Sequence, residues 1–201
     1  VDVDRFRLEE AAQLMQESGI DPERIIVHAP YIINLANSLK PETADFGAEF
    51  LQEELRRVTQ IGASTLVLHP GSHIKAGADV GIRWIADRLN QVLDADDSNV
   101  VIALETMAGK GTEIGRNFEE LQAIRELVNK KDRIGICLDT CHIHDAGYDL
   151  TEFETVLDEF DRILGLDSLK VIHVNDSKNP RGARKDRHEN LGHGHIGFET
   201  L

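Results

Sequence analysis

Five apolar clusters recur along the chain with amphipathic stretches between them: IIVH at 25–28, TLVLH at 65–69, VVIALE at 100–105, IGICLD at 134–139 and LKVIHVN at 169–175. Short continuous runs of this kind, rich in Val, Ile and Leu, predict parallel strands covered on both faces. The stretches between them keep a helical rhythm. In ETADFGAEFLQEELRRVTQIG, the residues Phe46, Phe50, Val58 and Ile61 are expected on one face of a helix. The opening VDVDRFRLEEAAQLMQESG reads as a further helix. The predicted order is a helix followed by five strand-helix units, without a linker or low-complexity tract. This is an α/β chain forming one domain over 1–201.

Each predicted strand ends on a potential ligand or catalytic group: His28, His69, Glu105, Asp139 and His173, separated by 41, 36, 34 and 34 residues. A single histidine at a strand end is commonly a satisfied structural residue, and a single aspartate there often caps the next helix. Five such residues in phase with the strand repeat are different. In parallel α/β folds the strand C-termini open onto one face, so these groups are expected to converge. Two further sets lie just beyond: His142 follows Asp139 by three residues, and Asp186 and His188 alternate along KDRHEN so that both point to one side. Imidazole with carboxylate and no thiolate suits zinc, manganese or iron(II), and the five strand-end donors exceed what one tetrahedral zinc takes. More than one ion is therefore expected. Glu105, on the middle strand, is placed to bridge two ions roughly 3.5–4 Å apart.

Composition narrows the choice. The 201 residues are 41% hydrophobic with a formal charge of -14, which suits a globular core and argues against a protein that coats nucleic acid nonspecifically. Against that balance, NDSKNPRGARKDRHEN gathers Lys178, Arg181, Arg184, Lys185 and Arg187, a local basic loop that points to phosphate. No apolar run approaches the ~20 residues of a membrane helix, so no membrane role is expected. The two cysteines, Cys137 and Cys141, are expected to be buried free thiols, and the chain reads as cytoplasmic. Competing motifs fail on spacing. RHENLGH is one residue too long for a zincin helix, AGKGT has Leu104 where a phosphate loop needs glycine, and no G-x-S-x-G elbow is present.

The blocks HAPYIINL, LHPGSH, LETMAGKGTEIG, CLDTCHIHDAGYDL and HVNDSKNPRGARKDRHENLGHGHIG together resemble endonuclease IV, the zinc-dependent apurinic/apyrimidinic endonucleases of base-excision repair. The resemblance runs from about residue 25 to the end and implies a TIM (β/α)8 barrel holding three Zn2+ ions. It implies that His28, His69 and Glu105 hold the first ion. Glu105, Asp139 and His173 hold the second and are counted as catalytic. His142, Asp186 and His188 hold the third. The implied reaction is attack of hydroxide on the phosphate 5′ of an abasic sugar in double-stranded DNA, leaving a 3′-hydroxyl and a 5′-deoxyribose phosphate, by a monomer. Tyr31 and Ile32 correspond to the family's loop that enters the base stack. His73 is expected near the site without binding metal; His144, His193 and His195 match no family ligand, and Gly192, Gly194 and Gly197 are expected to shape the backbone.

The resemblance also implies that this chain is an incomplete portion of the barrel, without the first strands, the first DNA-binding loop, or the last strand and its glutamate ligand. Activity is therefore expected of the whole protein and not of this portion. Two other functions fit part of the pattern. A metal-dependent sugar isomerase or epimerase shares the strand-end ligands but has no use for a third ligand set or a basic loop. A non-catalytic zinc-containing module that binds abasic DNA shares both.

Overall fold

In the computed structural model, which describes residues 6–201, the apolar clusters form five parallel strands. These are β1 (Ile26–His28), β2 (Thr65–Leu68), β3 (Val101–Glu105), β4 (Ile134–Asp139) and β5 (Leu169–His173), hydrogen-bonded in sequence order. Consecutive order with a helix between neighbours is the winding of a TIM barrel, and the five strands form a curled arc of one. The helices are α1 (Leu8–Glu17), α2 (Pro41–Ile61), α3 (Ala78–Asp94), α4 (Phe118–Leu127), α5 (Thr140–Ala146) and α6 (Phe153–Leu164). Residues 1–5 of the predicted opening helix lie outside the described residues. After β5 the structure departs from the predicted strand-helix repeat. The chain continues into a two-stranded antiparallel ribbon, β6 (Asp176–Ser177) with β7 (His188–Glu189), because a segment with so many polar residues and glycines offers no apolar stripe for a helix to bury.

Strand alternation sorts the side chains. Leu66, Leu68, Ile102, Leu104, Ile136 and Leu138 face outward and are buried under the helices, together with Leu51, Leu55, Ile85, Leu89, Leu121 and Phe160. The alternate residues Val67, Ala103 and Cys137, with Val171 against them, fill the interior of the arc. Residues two positions further along share their direction, which is why His69, Glu105, Asp139 and His173 all end up over the interior.

Helix α2 corrects the expected face. Its buried residues are Ala44, Gly47, Ala48, Leu51, Glu54, Leu55 and Val58, whereas Phe46 is exposed and Phe50 and Ile61 sit at the margin. Small residues let the helix approach closely: a Cβ on Gly47 would lie 3.2 Å from Leu35 Cδ2. Phe50 packs against the core from the margin and also on Phe46, with ring centroids 5.8 Å apart. The expected face is thus turned and not lost: Val58 is fully buried and Phe50 and Ile61 pack against the core from its margin, while Phe46 falls outside it, because small residues allow the closer approach.

Candidate metal centre

The four residues at the ends of β1, β3, β4 and β5, with His69 just past β2, meet at one mouth of the arc. Glu105 stands at the middle, 1% exposed, and its two carboxylate oxygens divide the surrounding histidines. Oε2 lies 3.0 Å from His28 Nε2 and 3.3 Å from His69 Nε2; Oε1 lies 3.1 Å from His173 Nδ1 and 3.2 Å from His142 Nδ1. His173 Nδ1 also lies 3.6 Å from Asp139 Oδ2. Beyond, His142 Nε2 is 3.0 Å from Asp186 Oδ1 and 3.4 Å from His188 Nε2, which is itself 3.6 Å from Asp186 Oδ1. All eight residues named from the sequence are thus joined in one cluster.

The rings are oriented by their neighbours. His28 Nδ1 is 2.7 Å from the Ala29 carbonyl, and His142 Nδ1 is 2.8 Å from the Thr106 carbonyl; a carbonyl only accepts, so each Nδ1 carries the hydrogen and each Nε2 is left facing the cluster. Asp139 combines both roles weighed for it. Oδ1 accepts from His142 N at 2.9 Å and caps α5, while Oδ2 faces His173 and accepts from Asn175 Nδ2 at 2.7 Å. Thr106 Oγ1 in turn accepts from Asp139 N at 2.9 Å, and Thr140 Oγ1 donates to the Asn175 carbonyl at 2.7 Å. Thr106, Thr140 and Asn175 were missed in the sequence, where only their adjacency to ligands marked them.

Electrostatics describe a cluster that requires positive charge. Burial pushes the Glu105 carboxyl up, but hydrogen bonds from His142, His173, His28 and His69 outweigh it and hold it far below the usual carboxylate range. Burial disfavours a charged His142; Asp186 and Glu105 overcome this and push it up to about 12. His173 is pushed up to about 12 by Asp139, then by Cys137 and Glu105. His28 is raised mainly by Glu105, and Asp186 is lowered mainly by His142. Protons on the imidazoles and divalent cations are alternative ways of supplying that charge. Three donor sets, the first two sharing Glu105, are each close enough to hold an ion: His28, His69 and Glu105; Glu105, Cys137 and His173; Asp139, His142 and His188. Nitrogen and carboxylate donors predominate and the mouth is open, so the residues fit zinc or a similar divalent ion. Cys137 enters the second set from below; burial pushes its thiol up to about 11. Both cysteines are free and buried.

The expected DNA-facing residues are less uniform. Tyr31 is 89% and Ile32 58% exposed, three and four residues after His28, so neither is a core residue. Lys178, Arg184, Lys185 and Arg187 are exposed along the ribbon loop, but Arg181 is turned aside to pair with Asp149, and Lys178 lies 3.8 Å from Glu189. His73 Nδ1 accepts from Gly77 N at 3.1 Å and so serves the backbone of its own loop. Gly192 and Gly197 have φ of 78° and 82°, and a Cβ on Gly194 would come 2.3 Å from the Ser177 carbonyl oxygen. These glycines shape the turn that follows the ribbon. Among the described residues no helix is long and apolar enough to cross a membrane.

The family model described as "Xylose isomerase-like TIM barrel" matches residues 1–201. A protein named "Probable endonuclease 4" from Staphylococcus aureus (strain JH9) is 56% identical over 200 residues, covering 99% of this chain and 67% of that protein; the counterpart in strain Newman gives the same figures. Endonuclease IV from Thermus thermophilus superposes with a TM-score of 0.77 at 33% identity, covering 95% of this chain and 67% of that one. A D-tagatose 3-epimerase-like protein reaches a TM-score of 0.76 at 21% identity, over 96% of this chain and 68% of the other, a likeness of fold alone. The chain thus spans about two thirds of the length of these endonuclease relatives. With the donor cluster at the mouth of a TIM-barrel arc and this degree of identity across its length, the chain belongs to the xylose isomerase-like TIM-barrel family and, within it, to the endonuclease IV family.

Proposed function

We propose that the protein of which these residues are part is a DNA-repair endonuclease that hydrolyses the phosphodiester 5′ of an abasic site, leaving a 3′-hydroxyl and a 5′-deoxyribose phosphate. In this reading it acts as a monomer on double-stranded DNA in the cytoplasm and carries three zinc ions. His28, His69 and Glu105 hold the first. Glu105, Asp139 and His173 hold the second, and His142, Asp186 and His188 hold the third. The observation that carries the reading is the division of Glu105, with one oxygen toward His28 and His69 and the other toward His173, as expected of a carboxylate that serves two donor sets.

Bound divalent ions supply charge to a phosphate and make water acidic enough to attack it at neutral pH. The residues of the chain do the rest. Carbonyl groups on Ala29 and Thr106 fix two imidazoles in one tautomer, Asn175 holds the Asp139 carboxylate, and the outward faces of the strands anchor all of them to the core. In this reading the exposed Tyr31 and Ile32, which follow His28 closely in the chain, enter the stack next to a flipped sugar, and the exposed Lys185 and Arg187 meet the backbone; their exposure supports both roles. A third donor set and a basic loop favour a phosphodiester over a neutral sugar.

The test is incision of a 5′-labelled abasic duplex by the full-length protein, with and without a zinc chelator. Incision is expected to stop on chelation and return with zinc, and Glu105→Ala should lower it by about 10³-fold or more, the scale of losing a principal electrostatic stabiliser. Incision by Glu105→Ala at the parental rate removes the shared-carboxylate reading. Tight binding without cutting after zinc reconstitution would instead identify a damage-binding module.

A further inference from the structure

Asp145 lies within the block CLDTCHIHDAGYDL, where no role is expected of it from the sequence, yet it is fully buried at the far end of α5, three residues from His142. Its carboxylate collects donors from the segment that carries Asp186 and His188. Oδ1 accepts from Ser177 Oγ at 2.6 Å, and Oδ2 accepts from Asp186 N at 3.0 Å, Lys185 N at 3.2 Å and Asn179 Nδ2 at 3.4 Å. The surrounding backbone is tied to the same helix: Arg184 N donates to the Asp145 carbonyl, Gly182 N to the His144 carbonyl, both at 3.0 Å, and His144 Nε2 donates to the Asn179 carbonyl at 3.1 Å.

The loop needs such an anchor. Arg184 and Asp186 have φ of 54° and 53°, a left-handed conformation that L side chains adopt only where their surroundings fix it. Lys185 and Asp186 hand their N–H groups to Asp145 within that turn, and the turn sets where the Asp186 carboxylate points. Helix α5 therefore carries a donor of the cluster, His142, and the clamp for two others.

We propose that Asp145 is the positioning residue of the third donor set: by binding the Lys185 and Asp186 N–H groups it locks the turn that presents Asp186, and with it His188, to His142. The proposal rests on the reading above that these three side chains share an ion. It gives the carboxylate a role in metal binding without contact to the metal, in the way that groups behind metal ligands set their orientation.

The test is competitive zinc titration against a chromophoric chelator, combined with amide hydrogen exchange. Asp145→Ala is expected to weaken one ion by about 10- to 100-fold while leaving the others unchanged, and to speed exchange at Lys185 and Asp186. Asp145→Asn retains one oxygen for the two N–H groups and should recover most of the affinity. Glu120→Gln is the control for a merely structural role, because Glu120 is also buried and accepts from Gly115 N and Arg116 N at 2.8 and 3.3 Å without reaching the ribbon loop; it should lower stability and leave zinc affinity alone. If Asp145→Ala does not fold, Ser177→Ala loosens the same carboxylate and is read the same way. Wild-type zinc affinities in the Asp145 or Ser177 variant, or unchanged exchange at Lys185 and Asp186, overturn the proposal. His188→Ala is titrated alongside. If it loses no ion, the third site itself is refuted; if it loses one while Asp145→Ala loses none, only the positioning role fails.

Discussion

His28, His69, Glu105, Asp139 and His173 stand at the ends of strands, whereas Asp186 and His188 stand on and beside a loop whose shape comes from side chains. The difference lies in what holds each set. A strand-end donor inherits its direction from the pleat and its position from hydrogen-bonded neighbours such as the Asp139–His173 pair of β4 and β5. The loop has a two-residue ribbon and little core, and its order comes from two buried carboxylates. Asp145 holds the turn before His188. Asp176 holds the turn after it, accepting from the N–H groups of Gly192, Gly194, Ile196 and Gly197. One part of the centre is fixed by hydrophobic packing and the other by charge-assisted hydrogen bonds, so the two should fail under different perturbations.

The largest separation is expected from Leu104→Ala, which empties a fully buried site beneath β3. Unfolding free energy should fall by about 2–5 kcal/mol, measured by denaturant titration, with the loop's amide protection declining only as the whole protein unfolds. Loop protection lost well before the strands would show the loop to be independent of this floor.

Next is Asp176→Asn, for which a loss of about 2 kcal/mol is expected at neutral pH, the scale of hydrogen bonds to a charged group. Burial pushes the Asp176 carboxyl up, and the N–H groups of Gly194, Ile196, Ser177 and Gly197 outweigh it and hold it below its usual value. A lowered folded-state value means that its contribution is complete above the unfolded value of about 3.9 and disappears as pH falls through the folded one. The difference between Asp176→Asn and the parent should therefore be constant from pH 7 to about 5 and shrink below about 4. A difference that persists undiminished in acid would show that shape, and not charge, holds the turn.

The smallest effect on stability is expected at the rim. Tyr31→Ala should stay within about 0.5 kcal/mol of the parent in unfolding free energy, as exposed positions do. In the full-length protein it should weaken binding to an abasic duplex by about 10-fold, the lower part of what one base-aromatic stack contributes. A loss of stability with DNA affinity intact would return Tyr31 to a packing role.

The strand-end donors were legible because a period of two and a repeat of about 35 residues leave their mark in the order of residues: a polar group closing each apolar run must share the direction of the residue two before it. The His142 position followed from its spacing to Asp139, and Asp186 and His188 from their alternation. The buried face of α2 was legible only in part: Val58 lies on it, but Gly47 approaches Leu35 there and Phe46 is exposed. The basic loop was legible as charge but not as geometry; Arg181 is engaged by Asp149, which lies 32 residues earlier in the chain.

The order of residues by itself determined the strands, their parallel winding and the direction of the groups that end them, because these follow from local periodicity and short connections. The tertiary structure decided which carboxylates serve the cluster and which serve its support. Asp139, Asp145, Asp176 and Asp186 are the same side chain in the sequence. Their roles diverge because folding places the N–H groups of distant residues around Asp145 and Asp176 and imidazoles around Asp139 and Asp186, and a buried carboxylate takes its function from whatever donors surround it.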